Sequence, residues 1–374
     1  MKALDRLIKY FKTEAVLTIS IVVAIVSAFF VPPSVEYFSY IDYKVLLCLF
    51  CLMVVVSGFK KVQVFEAAAN LVVKKSRNLR QLSFGIIALT YFLAMFMTND
   101  VALITLVPFA LIVLDKVNGN DYTILVVVLQ TIAANIGSSL TPIGNPQNLF
   151  IYSKYGIPLH EFLLMLLPIV LVGGILISLS VLSIEKRSIT ANEEQPKIEV
   201  DKKGAIIYSS LFILSILGVF RVLPILPASI ILALCVLITD IKLFREVDYS
   251  LLITFIGFFI FVGNLSEMES VKHFLSGVLT KGALMVSILS SQIISNVPAA
   301  VLLSGFTSDY KELLLGVNVG GLGTIIASLA SVISFKLYTK AHRANSKKYM
   351  KVFTCFNVLF LVVLVAVAYF EIYL

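Results

Sequence analysis

Apolar runs of 15 to 24 residues follow one another from end to end of the chain, and polar letters interrupt some of them. Residues 14–31 form a first run that stops at Pro32-Pro33, and 44–59 form a second that ends at Lys60-Lys61. Residues 62–73 read as an amphipathic helix, followed by Lys74, Lys75, Arg77 and Arg80. The run 82–114 is 33 residues long and carries Thr98-Asn99-Asp100 in its middle. That is too long for one ordinary span and too short for two, so it predicts a helical hairpin that turns inside the membrane and leaves where it entered. Residues 122–151 predict a span broken between Asn135 and Asn148, because two prolines and two glycines there oppose continuous helix. A span over 161–184 follows.

The segment 185–204 is charged and reads as a linker. Beyond it come predicted spans at 205–220, 225–239 and 249–264. A surface stretch from Glu267 to His273 leads to a second hairpin at 282–306, interrupted at Ser295-Asn296-Val297-Pro298. A second broken span covers 311–338, with Asn318, Gly320, Gly321 and Thr324 in its middle, and a last span covers 351–372. This predicts nine spans and two hairpins.

The interruptions repeat. Asn99 falls on Asn296 and Phe109 on Phe306 at an offset of 197, while Asn135, Gly137 and Thr141 fall on Asn318, Gly320 and Thr324 at 183. The difference of 14 residues fits a longer loop near Asp115 to Asp121 in the first half. The chain therefore divides into a first repeat over 1–184, the linker, and a connecting span plus second repeat over 205–374. The extra span at 205–220 turns the second repeat over, which predicts inverted repeats. Matched polar breaks in two halves are the strongest sequence pointer to a transport site.

Composition agrees with a membrane setting. Of 374 residues, 59% are hydrophobic and only 14% charged, against about 25% charged in soluble domains; the mean hydropathy is +0.99. This predicts an all-α polytopic membrane protein. The basic residues fall in alternate loops. Lys2, Arg6, Lys9 and Lys12 place the N-terminus in the cytoplasm of a plasma (inner) membrane protein, and the span count places the C-terminus outside. The first run lacks a small-residue cleavage site and reads as a span, not a signal peptide. The net charge of +8 suits basic loops, and the basic cluster at 74–80 reads as interfacial, with no nucleic-acid partner.

Cys48, Cys51, Cys235 and Cys355 lie in or beside apolar runs and read as packing residues. Gly58 and Gly263 read as points of close helix packing, and His160, His273 and His342 as surface residues. No zinc, hydrolase or phosphate-loop signature is present, so no enzyme is expected and no cofactor beyond a coupling Na⁺ or H⁺.

The candidate site residues follow from the breaks. Thr98, Asn99, Asp100, Asn135, Gly137, Ser138, Ser139, Thr141, Pro142, Gly144, Asn145 and Asn148 form the first half-site. Ser295, Asn296, Pro298, Asn318, Gly320, Gly321 and Thr324 form the second. Helix N-termini at such breaks suit an anion, and unwound carbonyls with Asn, Ser and Thr oxygens suit Na⁺. Thr98, Asn99, Asp100, Asn135, Asn296 and Asn318 are the Na⁺ candidates. Asp100 has Val297 as its counterpart, and it reads as a cation or proton carrier or as the cap of a helix starting at Val101.

These motifs resemble the ion transporter superfamily, which holds arsenite/antimonite permeases, sodium/proton antiporters, citrate transporters and sodium-coupled dicarboxylate symporters. The resemblance rests on the Thr98–Ile104 stretch, the Asn135–Asn148 run and Ser295-Asn296-Val297-Pro298. It implies inverted repeats, two re-entrant hairpins and a homodimer with a mobile transport domain. In the dicarboxylate branch both tips read Ser-Asn-Thr; here both Asn carry over and the third-position Thr does not. The expected function is secondary transport of a small inorganic or organic anion coupled to Na⁺ or H⁺. The alternatives are Na⁺/H⁺ antiport or arsenite/antimonite efflux, with a passive channel behind them.

Overall fold

The computed structural model describes residues 14–189, 198–341 and 344–373. The basic N-terminal residues Lys2, Arg6, Lys9 and Lys12, the middle of the linker, and His342 with Arg343 lie outside these. Among the described residues the chain is helical, with one isolated antiparallel bridge between Asn78 and Ser188. The first half contains α1 (Ala15–Ala28), α2 (Tyr43–Lys61), α3 (Val64–Lys75), α4 (Leu79–Phe96), α5 (Asn99–Lys116), α6 (Thr123–Ser139), α7 (Pro146–Tyr155) and α8 (Leu159–Val181). The second contains α9 (Lys202–Val219), α10 (Ile225–Thr239), α11 (Tyr249–Glu267), α12 (Glu269–Leu279), α13 (Ala283–Ile294), α14 (Asn296–Ser304), α15 (Tyr310–Val319), α16 (Leu329–Thr339) and α17 (Ser346–Tyr373).

Among the described residues seven helices are long and apolar enough to cross a bilayer, while α1, α10 and α16 are shorter apolar helices. The stretch from Glu269 to His273, a surface segment by its sequence, is the start of helix α12. Leu279 is its one buried residue, Leu275 packs part-buried against the core, and α12 meets α13 at a bend of 112°. It stands before the second hairpin as α3 stands before the first.

Hydrogen bonds place the ends of each hairpin. Asn78 caps α4 by accepting from the Gln81 N–H at 3.0 Å. The Leu79 N–H donates to Arg187 O at 2.8 Å, and the Arg187 guanidinium reaches Asn118 O beyond the end of α5. Both ends of the α4–α5 hairpin thus sit beside the C-terminal end of α8. Tyr310 Oη donates to Glu161 at 2.6 Å, and Tyr155 Oη donates to Thr307 O at 2.8 Å. The open end of the α13–α14 hairpin therefore sits beside the N-terminal end of α8. Since α8 has 23 residues, about 34 Å at 1.5 Å per residue, the two hairpins enter from opposite ends of the molecule.

The hairpins differ in length. The arms α4 and α5 have 18 residues each, whereas α13 and α14 have 12 and 9. The shorter arms reach about 18 and 14 Å, less than the roughly 30 Å of a bilayer core. Each descending arm packs across the repeat boundary, α5 on α16 and α14 on α7. Glycine makes other crossings possible. A Cβ on Gly58 would stand 2.5 Å from the Tyr208 ring on α9, and one on Gly263 would overlap the Tyr40 ring. Both are packing positions, as their sequence context suggests.

Candidate functional site

The first turn consists of Met97 and Thr98, both extended, and the second of Ser295 alone at φ 74°. A left-handed Ser is strained, and its place at a turn surrounded by buried residues marks an over-determined conformation. Each turn is tied to the break of the adjacent broken helix by the same bond. The Asn99 N–H donates to Gly144 O at 3.1 Å, and the Asn296 N–H donates to Ala327 O at 2.9 Å. Gly144 and Ala327 are counterparts at the 183-residue offset.

The breaks are shorter than the sequence suggests. Helix α6 continues to Ser139, so Asn135, Gly137, Ser138 and Ser139 lie on its last turns, and only residues 140–145 are unwound. Pro142 and Gly144 stop the helix, while Gly137 stays helical and lets the Tyr91 carbonyl approach where a Cβ would collide. Helix α7 restarts with Asn145 as its cap, accepting from the Asn148 N–H at 2.9 Å, and Pro146 at the first position. In the second half the unwound segment is 320–328, without proline, and Ser328 caps α16. Asp100 does not cap a helix. Helix α5 starts at Asn99, whose Oδ1 accepts the Asp100 N–H at 3.0 Å, and Asp100 occupies the first turn.

Across the middle the two halves exchange side-chain bonds. Asn99 Nδ2 donates to Asn135 Oδ1 at 3.1 Å, and the same oxygen accepts from Ser328 Oγ at 2.9 Å. Asn145 Nδ2 donates to Asn318 Oδ1 at 3.4 Å, and Asn318 Nδ2 donates to Asn148 Oδ1 at 2.7 Å. Asn135 and Asn318 are counterparts, as are Asn145 and Ser328, so the network carries the repeat's symmetry. All of these side chains are buried. Asn296 lies over Gly321, where an added Cβ would meet its Nδ2 at 2.7 Å.

The two threonines have a different place. Thr141 Oγ1 donates to Met95 O and Thr324 Oγ1 to Gln292 O, each the carbonyl four residues before its turn's Asn. They tie a hairpin arm to a break. Pro298 lies within α14, two residues beyond Asn296. Gln292 and Ser328 are site residues that the sequence motifs do not mark. Ser328 was legible, since the offset places it on Asn145, but Gln292 has Met95 opposite it and no repeated signal.

A cavity of about 630 Å³ reaches the first turn from the end that carries Lys60, Lys61 and Lys242, and it is lined at depth by Thr98, Asp100, Asn145 and Pro146. One Asp100 carboxylate oxygen is buried without a hydrogen-bond partner. Lys61 pairs with Asp240 across the cavity wall, and the Lys61 hydrogen bond holds the Asp240 carboxyl below the usual carboxylate range. At the opposite end a second recess of about 730 Å³ is lined by Asp42, Lys154, Phe150 and Phe259. Leu149 faces the first cavity and Phe150 the second. Between them Phe150 packs with Phe255 and Phe259, ring centroids 6.3 and 5.6 Å apart. Among the described residues no three His, Cys, Asp or Glu side chains gather as a metal-holding group.

Broken helices and a deep polar centre in an apolar helical body suit a membrane transporter. The chain matches the citrate transporter family over residues 10–309 and belongs to that family. It is similar to the uncharacterized transporter MJ0456 of Methanocaldococcus jannaschii, 34% identical over 343 residues, 89% of this chain and 91% of the relative. It is 28% identical to the inner membrane protein YbiR of Escherichia coli over 325 residues, 85% of this chain and 86% of the relative. The silicon efflux transporter LSI3 of Oryza sativa is 35% identical over 133 residues, 36% of this chain and 27% of that protein.

Proposed function

We propose that the protein is a cation-coupled secondary transporter for a small anion or organic acid, working as inverted repeats with re-entrant hairpins in the plasma (inner) membrane. The observation that carries this reading is the crossed network joining Asn135 to Ser328 and Asn318 to Asn145, beside a cavity that ends at Asp100. A site built equally from two opposed halves suits alternating access, because either half can open while the other holds the solute. Asn99, Asn135, Asn296 and Asn318 would bind solute and ion, with Asp100 on the coupling Na⁺ or H⁺. The basic face, with Lys60, Lys61 and Lys242, would be cytoplasmic. The family resemblance further suggests a homodimer.

A second reading, Na⁺/H⁺ antiport or arsenite/antimonite efflux, draws on one observation. The ionic group at the first turn is an acid, while the lysines lining the cavity come from the end of α2 and from the loop before α11. Solute counterflow in proteoliposomes tests the first reading. Saturable exchange is expected across an organic-acid panel, and its absence, with pH-dependent Na⁺ or arsenite movement in its place, would favour the second.

A further inference from the structure

In both halves a side-chain amide rests on the same backbone carbonyl. Asn148 Nδ2 donates to Ser139 O at 2.9 Å, with Thr141 O at 3.2 Å and Ser138 O at 3.4 Å. Gln292 Nε2 donates to Leu322 O at 2.9 Å and to Gly320 O at 2.8 Å, with Ile288 O at 3.4 Å. Ser139 and Leu322 are counterparts at the 183-residue offset. The donors are not: Asn148 sits on α7 and falls on Ser331, while Gln292 sits on α13 and falls on Met95. Two unrelated elements thus bring an N–H pair to one equivalent oxygen. The second break is shaped around its donor, since Gly323 stands at φ 102° where an added Cβ would strike Gln292 Oε1. That oxygen in turn accepts the Thr324 N–H at 2.9 Å.

The Ser138 and Ser139 carbonyls end α6, and those of Gly320 and Leu322 lie just past the end of α15, where oxygens have no helical partner and the helix end carries partial negative charge. At membrane depth they need a donor or a cation. Oxygens at such helix ends are the ligands a small hard cation takes in transporters with unwound helices. We propose that Asn148 and Gln292 act as fixed neutral donors in the places a coupling cation would take, so that neither carbonyl end binds Na⁺ in this protein. Both are positioning residues: they hold each break in its binding geometry without an ion. The proposal rests on the transport reading for its meaning but not for its test.

The test compares wild type, Gln292→Glu and Gln292→Met as purified full-length protein in NaCl and in choline chloride. The readout is melting temperature, because a bound ion stabilises the state it binds. Gln292→Glu sets a carboxylate against two carbonyls, and Gln292→Met opens the same oxygens without charge using the residue found at the matching position. The expected result is that Na⁺ raises the melting temperature of either variant more than that of wild type, the acidic variant most. A variant that folds only in Na⁺ supports the proposal more strongly still. If the variants fold and respond to Na⁺ no more than wild type does, the proposal fails. Counterflow is read separately on the wild type, so loss of the transport reading leaves this outcome intact.

Discussion

Asp100 joins two facts at the first hairpin turn. It lies in the first turn of α5, where the helix dipole favours a negative group, and it faces the cavity beside Thr98 with one oxygen unpartnered. Glu66, in the first turn of α3, lines the same cavity with an unpartnered oxygen of its own but stands away from the hairpin turns, while Asp240, Glu246 and Asp248 come from the stretch between α10 and α11. Asp240 offers a control. Its bond to Lys61 lowers its folded pKa, so that contribution is complete above the ordinary carboxylate value near 4 and is lost only as pH falls through the lower folded value. Asp240 therefore does not titrate between pH 5 and 8. Asp100→Asn is expected to cut gradient-driven uptake by about tenfold or more, the scale of one lost charged interaction, and to flatten its pH profile while counterflow persists. Asp240→Asn is expected to keep the profile. Uptake measured from pH 5 to 8 checks both, and equal flattening by the two variants would remove Asp100 from the coupling role. The asparagines were legible because polar amides recur at matched places in apolar runs. Gln292 was not, because its equivalence is geometric: two different residues reach one carbonyl position from different helices.

The breaks show at the scale of elements how far local sequence decides structure. Pro142 and Gly144 end α6, yet the helix holds through Gly137, Ser138 and Ser139, which composition alone places in unwound chain. Packing explains the difference. Gly137 lies against the Tyr91 carbonyl on α4, so the glycine serves close approach inside the helix and not a turn. Gly144 does the opposite, folding the unwound segment back until its missing side chain faces the Ser138 carbonyl oxygen. Gly144→Ala therefore forces backbone apart at the residue whose carbonyl receives the Asn99 N–H. A loss of about 1–3 kcal/mol in stability is expected from such overpacking, together with loss of transport. Thermal melting with counterflow reads both, and a variant that melts and transports as wild type would show that the Asn99–Gly144 bond does not set the site. Helix α12 is not visible in the hydropathy pattern for a simple reason: it is an exposed amphipathic helix without a long apolar run.

In the whole molecule, the alternation of basic and non-basic loops predicts two hairpins on opposite faces. Their bonds to either end of α8 agree with that placement. What the loops could not convey is the exchange between halves, in which α5 packs on α16 and α14 on α7. That exchange is what turns two half-sites into one centre. Asn118 and Ser308, both exposed, follow the first and second hairpins. The most direct measurement is labelling of Asn118→Cys and Ser308→Cys by a membrane-impermeant thiol reagent in sealed, oriented vesicles, with the four native cysteines replaced. Opposed hairpins require the two positions to label from opposite sides of the membrane. Labelling of both from the same side would contradict them.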